Sequence, residues 1–87
     1  ADMAFIGANG ITLEEGITTP NFVEAMTKKS MVSSATRVYA VLDTSKFQQV
    51  SLAVIAPLKE ITAVITAGDL EEELAVLYES QGIEIRR

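Results

Sequence analysis

The 87-residue sequence predicts an α/β fold, a parallel sheet with flanking helices, and three observations carry that expectation. Residues 38–42 and 61–66 are apolar runs rich in Val and Ile, the pattern of strands covered on both faces rather than one. Segments with helical spacing of apolar residues lie before and after them, so strands and helices alternate. Successive right-handed crossovers then lay the strands parallel.

Residues 3–7, Met-Ala-Phe-Ile-Gly, form a short apolar run closed by glycine and supply the first strand. The stretch that follows is read as the connection to a helix. In that helix Phe22, Ala25, Met26, Lys29, Val32 and Ala35 follow i, i+3, i+4 spacing, with the Lys29 stem lying along the apolar stripe. Two starts are open: Thr19 with Pro20 as N-cap and first helical residue, or Asn21 with Glu24 as a capping box. The strand at 38–42 comes next. Within 47–60 the run from Ser51 to Ala56 forms a short strand, and Pro57 opens a helical turn through Glu60. After the strand at 61–66, Asp69 and Glu72 make a capping box for a second helix, whose buried stripe is Leu70, Leu74, Leu77 and Tyr78. Gly82 stops it. Ile83-Glu84-Ile85 alternates as an edge strand blunted by Arg86-Arg87. Met3, Met26 and Met31 are read as core filler. The chain carries no internal repeat, linker or low-complexity stretch.

Composition narrows the chemistry. A chain of 87 residues is one domain or a piece of one, and such a domain buries only about 60–65% of the surface its unfolded chain exposes. With no His, Cys or Trp, the core is aliphatic, and histidine catalysis, cysteine nucleophiles and the usual zinc sites are excluded. No cofactor or metal is expected. Twelve acidic against seven basic residues give a net charge of -5, which opposes a direct grip on nucleic acid, since that binding neutralises phosphates. No apolar stretch approaches the roughly 20 residues that span a bilayer, and no signal peptide is recognisable, so no membrane partner and a cytoplasmic location are expected. The opening Ala1-Asp2-Met3, running straight into a strand, reads as a fragment of a longer protein.

If the strands at 3–7 and 38–42 are parallel neighbours, the loops after them emerge at one edge, where open α/β sheets hold their ligands. That places Asn9 and Gly10 near Asp43, Ser45 and Lys46. Asn9 offers donor and acceptor to a hydroxyl, and Gly10 permits positive φ and close ligand approach; alternatively the pair is a plain turn dipeptide. Thr18 and Thr19 precede a helix N-terminus that attracts anions, with Thr19 equally suited to capping and Thr18 freer for a ligand. Lys46 is the residue expected to hold a phosphate, because the competing helix start at Asp69 is crowded by Glu71, Glu72 and Glu73. The other reading leaves Asp43 capping a turn and Lys46 in solvent. Glu24 and Lys28, spaced i, i+4, are either a ligand pair or a surface ion pair worth about 0.2–0.5 kcal/mol.

The segments Gly7-Ala8-Asn9-Gly10-Ile11-Thr12, Gly16-Ile17-Thr18-Thr19-Pro20-Asn21 and Asp43-Thr44-Ser45-Lys46-Phe47, with Glu24, Lys28 and Ser51-Leu52-Ala53-Val54-Ile55-Ala56-Pro57-Leu58, stand in a familiar order. In that order the chain resembles the C-terminal sensor domain of DeoR-type sugar-metabolism repressors over almost its whole length. The resemblance implies a Rossmann-like parallel sheet, the C-terminal part of a sensor domain resembling ribose-5-phosphate isomerase in fold. It also implies a transcription regulator, a homo-oligomer, whose effector is a phosphorylated sugar held by Asn9, Gly10, Thr18, Thr19, Glu24, Lys28, Asp43, Ser45 and Lys46. Operator DNA would be contacted only through a separate N-terminal winged helix-turn-helix. An N-terminal half of the sensor domain, with a phosphate loop rich in glycine and threonine, would also lie outside these 87 residues.

The competing expectation is a sugar-phosphate isomerase of the same fold, a reaction that needs a base to move a proton between adjacent carbons. The related isomerases carry Gly-Ala-Asp-Glu-(Ile or Val)-Asp where this chain reads Gly7-Ala8-Asn9-Gly10-Ile11-Thr12. All three carboxylates are replaced, so no catalytic residue is assigned and the chain is read as a sensor, not an enzyme.

Overall fold

A computed structural model describes residues 2–87. In chain order the elements are β1 (Met3–Gly7), β2 (Gly10–Thr12), β3 (Gly16–Thr19), α1 (Phe22–Ser34), β4 (Arg37–Asp43), β5 (Ala53–Ala56), β6 (Ala63–Ala67), α2 (Glu72–Glu79) and β7 (Glu84–Arg86). Single 3₁₀ turns at Thr44–Lys46 and Leu58–Glu60 follow β4 and β5, the second entered through Pro57 as expected. The α/β class stands. Strands β1, β4, β6 and β7 form a parallel sheet in that order, with Gly7 beside Val41 and Asp43 beside Ala67. The loops after β1 and β4 therefore leave at the same edge.

A second sheet was not foreseen. Strands β2, β3 and β5 pair antiparallel, so the stretch read as a connection to the helix is instead a hairpin with a strand at each end. Its members are three or four residues long, too short for a periodicity signal, yet Ile11, Ile17 and Ile55 are almost wholly buried. At Gly16 (φ 81°) the hairpin passes so close to β5 that a Cβ would overlap the Ala56 carbonyl.

The two sheets meet at one joint. Ile11 bridges to Phe47, the Gln48 N–H donates to the Ile11 carbonyl at 2.8 Å, and the Tyr78 hydroxyl donates to the same carbonyl at 3.2 Å. The Tyr78 oxygen also lies 2.8 Å from Gln48 Oε1, and its fully buried ring stands edge-on to Phe47 with centroids 5.2 Å apart.

Helix α1 begins at the second of its two candidate starts, the Glu24 N–H donating to Asn21 Oδ1 at 2.9 Å. Its buried face is narrower than the apolar pattern implied. Only Ala25 and Val32 are buried, while Phe22, Met26 and Lys29 face outward, because Ala25 and the half-buried Lys28 turn toward β1, β3 and β5. Met3 and Met31 are also exposed, so none of the three methionines fills the core. Helix α2 starts later than expected, at Glu72, and no side chain caps it; the box from Asp69 does not form because Gly68 (φ 104°) and the extended Glu71 hold that segment out of helical geometry. Leu70, Ala75 and Tyr78 are buried, and Leu77 is largely exposed. Gly82 (φ 88°) closes the helix, with Ile83 N–H to Tyr78 O at 3.3 Å and Gly82 N–H to Glu79 O at 3.0 Å.

Cover on both faces of the parallel sheet, expected from its unbroken apolar runs, is only half realised. Ala4, Ile6, Ala40, Leu42 and Val64 are buried on the inner face, whereas Met3, Phe5 and Val41 are exposed on the outer one. There Tyr39 is shielded locally, stacked on Phe5 at 5.2 Å and covered by the Arg86 guanidinium at 5.4 Å.

Removing the Tyr78 hydroxyl tests the joint. Tyr78→Phe is expected to lower stability in urea titrations by about 1–2 kcal/mol, the cost of losing the buried hydrogen bonds of one hydroxyl. Burial, aided by the Glu14 charge, pushes the Tyr78 phenol up from 10.0 to about 12. A group raised in the folded state contributes its full share below the unfolded value and loses it as pH climbs. Between pH 10 and about 12 the parent is expected to lose stability with a slope that Tyr78→Phe lacks.

Candidate functional site

Five residues meet at the carboxyl end of β1. Thr19, at the end of β3, turns its hydroxyl to Glu24 Oε1 at 3.0 Å and to Asn9 Oδ1 at 3.3 Å. One hydroxyl hydrogen serves one acceptor, so rotating the Asn9 amide, to let its nitrogen donate to Thr19, satisfies both contacts. The Lys28 ammonium lies 2.7 Å from Glu24 Oε1 and 2.5 Å from the Gly7 carbonyl. The Asn9 N–H donates to the Thr18 carbonyl at 2.9 Å. The chain Asn9, Thr19, Glu24, Lys28, Gly7 thus closes into a ring that ties the end of β1 and the hairpin to the first turns of α1.

The ring sits at the surface with a buried foundation: Thr19 is fully buried, Lys28 is half-buried, and Glu24 and Asn9 are exposed. Bonds from Lys28 and Thr19 and the Lys28 charge hold the Glu24 carboxyl below its ordinary value of 4.5. At neutral pH the ring offers a carboxylate acceptor, an amide and the spare N–H of an ammonium. That set suits a ligand with several hydroxyls and a negative charge.

A second cluster follows β4. The Ser45 hydroxyl donates to Asp43 Oδ2 at 2.9 Å, and the half-buried Lys46 ends the 3₁₀ turn. Asp43 stands at the cap position of that turn without capping it. Gly68, after β6, comes against Thr44 and Asp43 so closely that a side chain there would touch them. The two clusters share the carboxyl edge of the parallel sheet.

Two of the nine expected site residues are placed otherwise than foreseen. Thr18, expected to be free for a ligand, is buried, and its Oγ1 accepts the Ser51 N–H at 2.9 Å, because it lies inside β3. Gly10 is buried in β2 without positive φ; its lack of a side chain lets the Gln49 carbonyl pass. Neither a turn dipeptide nor an open approach describes it. Thr19 caps no helix, since Asn21 does, and points into the ring instead. The Gly7 carbonyl was not singled out beforehand, because a main-chain acceptor leaves no mark in sequence. A groove of ≈ 580 Å³ beside β1 and α1 shares no residue with either cluster. Among the described residues no group of three or more acidic side chains could hold a metal ion, and no helix is long and apolar enough to cross a membrane.

The sequence profile of the DeoR C terminal sensor domain matches residues 1–68. The chain is 39% identical over 84 residues to the HTH-type transcriptional regulator GlpR of Haloferax volcanii, a match covering 97% of this chain and 33% of that protein. It is 37% identical over 71 residues to the uncharacterized HTH-type transcriptional regulator FruR of Bacillus subtilis, covering 82% of this chain and 28% of the relative. To the HTH-type transcriptional repressor GlcR of Bacillus subtilis it is 34% identical over 84 residues, covering 97% and 32%. The chain spans about a third of the length of these relatives. It belongs to the DeoR C-terminal sensor family.

The ring carries a pH signature. A carboxyl lowered in the folded state contributes its interaction above the ordinary carboxylate value and loses it as pH falls through the folded one. An NMR titration of the Glu24 carboxyl carbon is expected to show a midpoint below 4.5, rising toward it in Lys28→Met. A midpoint unmoved by that substitution would show that Lys28 does not hold the carboxylate in solution.

Proposed function

We propose that this member of the DeoR sensor family is the effector-sensing part of a transcription regulator, and that its effector is a phosphorylated sugar. The observation that carries the reading is the hydrogen-bonded ring of Asn9, Thr19, Glu24, Lys28 and the Gly7 carbonyl at the carboxyl end of β1. Asn9 and Glu24 face solvent with the groups that bind hydroxyls, and Lys28 of α1 and Lys46 of the turn after β4 supply positive charge at one sheet edge. Asp43 and Ser45 order the loop that carries Lys46. Thr18 and Gly10 serve the site from beneath, by fixing the hairpin.

DNA binding then belongs to a separate N-terminal winged helix-turn-helix, in keeping with the net charge of -5 here and with relatives named HTH-type regulators three times as long. Repression, as in the relative named a repressor, a cytoplasmic location and a homo-oligomer complete the reading. The isomerase alternative is disfavoured on chemical grounds. Glu24 is the carboxylate of the ring at the β1 loop, and Lys28 and Thr19 hold it ionised and engaged, which makes it a poor proton acceptor.

Thermal-shift titration of the full-length regulator with a panel of sugar phosphates is the direct test, because a ligand of the native state raises apparent stability by mass action. A hit is expected to weaken by roughly 1.5–3 kcal/mol in Lys46→Ala, the range of a charge-assisted hydrogen bond. No stabilisation by any sugar phosphate would defeat the reading. Incubation with aldose and ketose phosphates is expected to give no interconversion; turnover abolished by Glu24→Gln would install the enzyme instead.

A further inference from the structure

Residues 47–49 run from the Lys46 turn to the hairpin and are fastened to three elements on the way. The Phe47 N–H donates to the Thr44 carbonyl and the Gln49 N–H to the Lys46 carbonyl, both at 3.3 Å, while the Gln48 N–H donates to the Ile11 carbonyl of β2 at 2.8 Å. The Gln48 side chain accepts from the Tyr78 hydroxyl of α2 at 2.8 Å. The Gln49 carbonyl lies so close to Gly10 that a Cβ there would overlap it, and Gly10 directly follows Asn9 of the ring. At the centre stands Gln48, exposed and at φ 66°, a left-handed conformation that costs free energy in any residue with a side chain. Beside it a hollow of ≈ 380 Å³, lined by Gln48 with Glu71, Glu73, Leu74 and Leu77, leaves room for the segment to swing outward.

We propose that residues 47–49 form a two-state hinge that couples the Lys46 turn to the ring at Asn9. In the closed state Gln48 bears the backbone cost, and its bonds to Ile11 and Tyr78 offset it. In the open state Gln48 returns to negative φ and gives up both bonds to water, the Gln49 carbonyl withdraws from Gly10, and Tyr78 keeps its bond to Ile11. The balance between the states is narrow. Two of the three main-chain bonds that close the segment are longer than the usual range, and Gln48 and Gln49 lie at the surface, where water replaces what is lost. Because the turn, Gln48 and Gln49 are consecutive, a shift of the Lys46 turn changes this balance and releases or presses Gly10; by linkage, a shift at Asn9 acts back on the turn with equal strength. The hinge is a property of the chain without effector and does not depend on the effector reading.

Amide hydrogen exchange of the ligand-free full-length regulator, read residue by residue by NMR where exchange follows the opening equilibrium, tests the hinge. One opening event is expected to give the Phe47, Gln48 and Gln49 amides a common protection factor. Gln48→Gly removes the backbone cost, and Gln48→Ala loses the same side chain but keeps that cost. Protection in the Gly variant is expected to exceed that in the Ala variant by roughly threefold or more at all three amides, and at the Asn9 amide with them, while the Val64 amide in the middle of the parallel sheet is unchanged. Ser45→Ala, a change confined to the Lys46 turn, is expected to lower protection at the same four amides and reports independently should the Gly variant fail to fold. Amides 47–49 that open with unrelated factors overturn the proposal, as does an Asn9 amide that ignores both substitutions. A Val64 amide that moves with the four overturns it too, since the opening would then be that of the whole domain.

Discussion

The carbonyl of Ile11 accepts two donors, one from the loop after β4 and one from α2, and the relation between the two sheets rests on it. A carbonyl has two lone pairs, so both bonds can form at once. Gln48 supplies its N–H from a φ of 66°, the one positive value among described non-glycine residues, so local backbone cost is accepted where the joint requires it. Tyr78 then closes the corner with its ring as well as its hydroxyl. Without this corner the antiparallel sheet would be held to the parallel one by side-chain packing and by the polar ring at the end of β1, at one side only.

Angle matters because the hairpin carries part of the candidate site. Its outer ends are Asn9 and Thr19, and both must meet α1 and the end of β1 within hydrogen-bond range. Tilting the hairpin about the Ile11 joint would move Thr19 against Glu24, and the Lys28 bond to Gly7 would have to follow. The ring and the joint are thus the two ends of one short lever. The Ser51 N–H bond to Thr18 pins the lever at its middle.

What was legible in the sequence divides along physical lines. The parallel strands and both helices announced themselves through continuous apolar runs and helical spacing, patterns that extend over many residues. The hairpin did not, because Gly10-Ile11-Thr12 and Gly16-Ile17-Thr18-Thr19 hold so few residues that alternation has no room to develop; β-branched Ile and Thr flanking Leu13-Glu14-Glu15 were the available cue. The stripe of α1 misled for another reason. Spacing identifies an apolar face but not whether neighbours cover it, and Phe22 and Met26 have none of the cover that Ala25 and Val32 find. At the site, Asn9, Thr19, Glu24 and Lys28 proved to be joined, the last two because i, i+4 spacing is a local rule that folding need not alter. The burial of Thr18 was hidden with the strand that buries it.

The same local scale resolves an apparent conflict between charge and ligand. A chain of net charge -5 ought to repel an anionic effector of the kind proposed. At physiological ionic strength, however, exposed charges beyond about 8 Å are largely screened, so the acids of α2 would count for little against a lysine touching such a ligand. Lys28 is half spent already, its ammonium bonded to Glu24 and Gly7, while Lys46 ends the turn that follows Asp43, one of whose oxygens accepts from Ser45. Lys28 is therefore accompanied by a carboxylate whose own bonds have been partly met within the protein. That arrangement holds a lysine in place without cancelling it, and it makes binding depend on where the ligand puts its negative group. Selectivity by position, rather than by overall attraction, is what a sensor needs among many metabolites of similar charge.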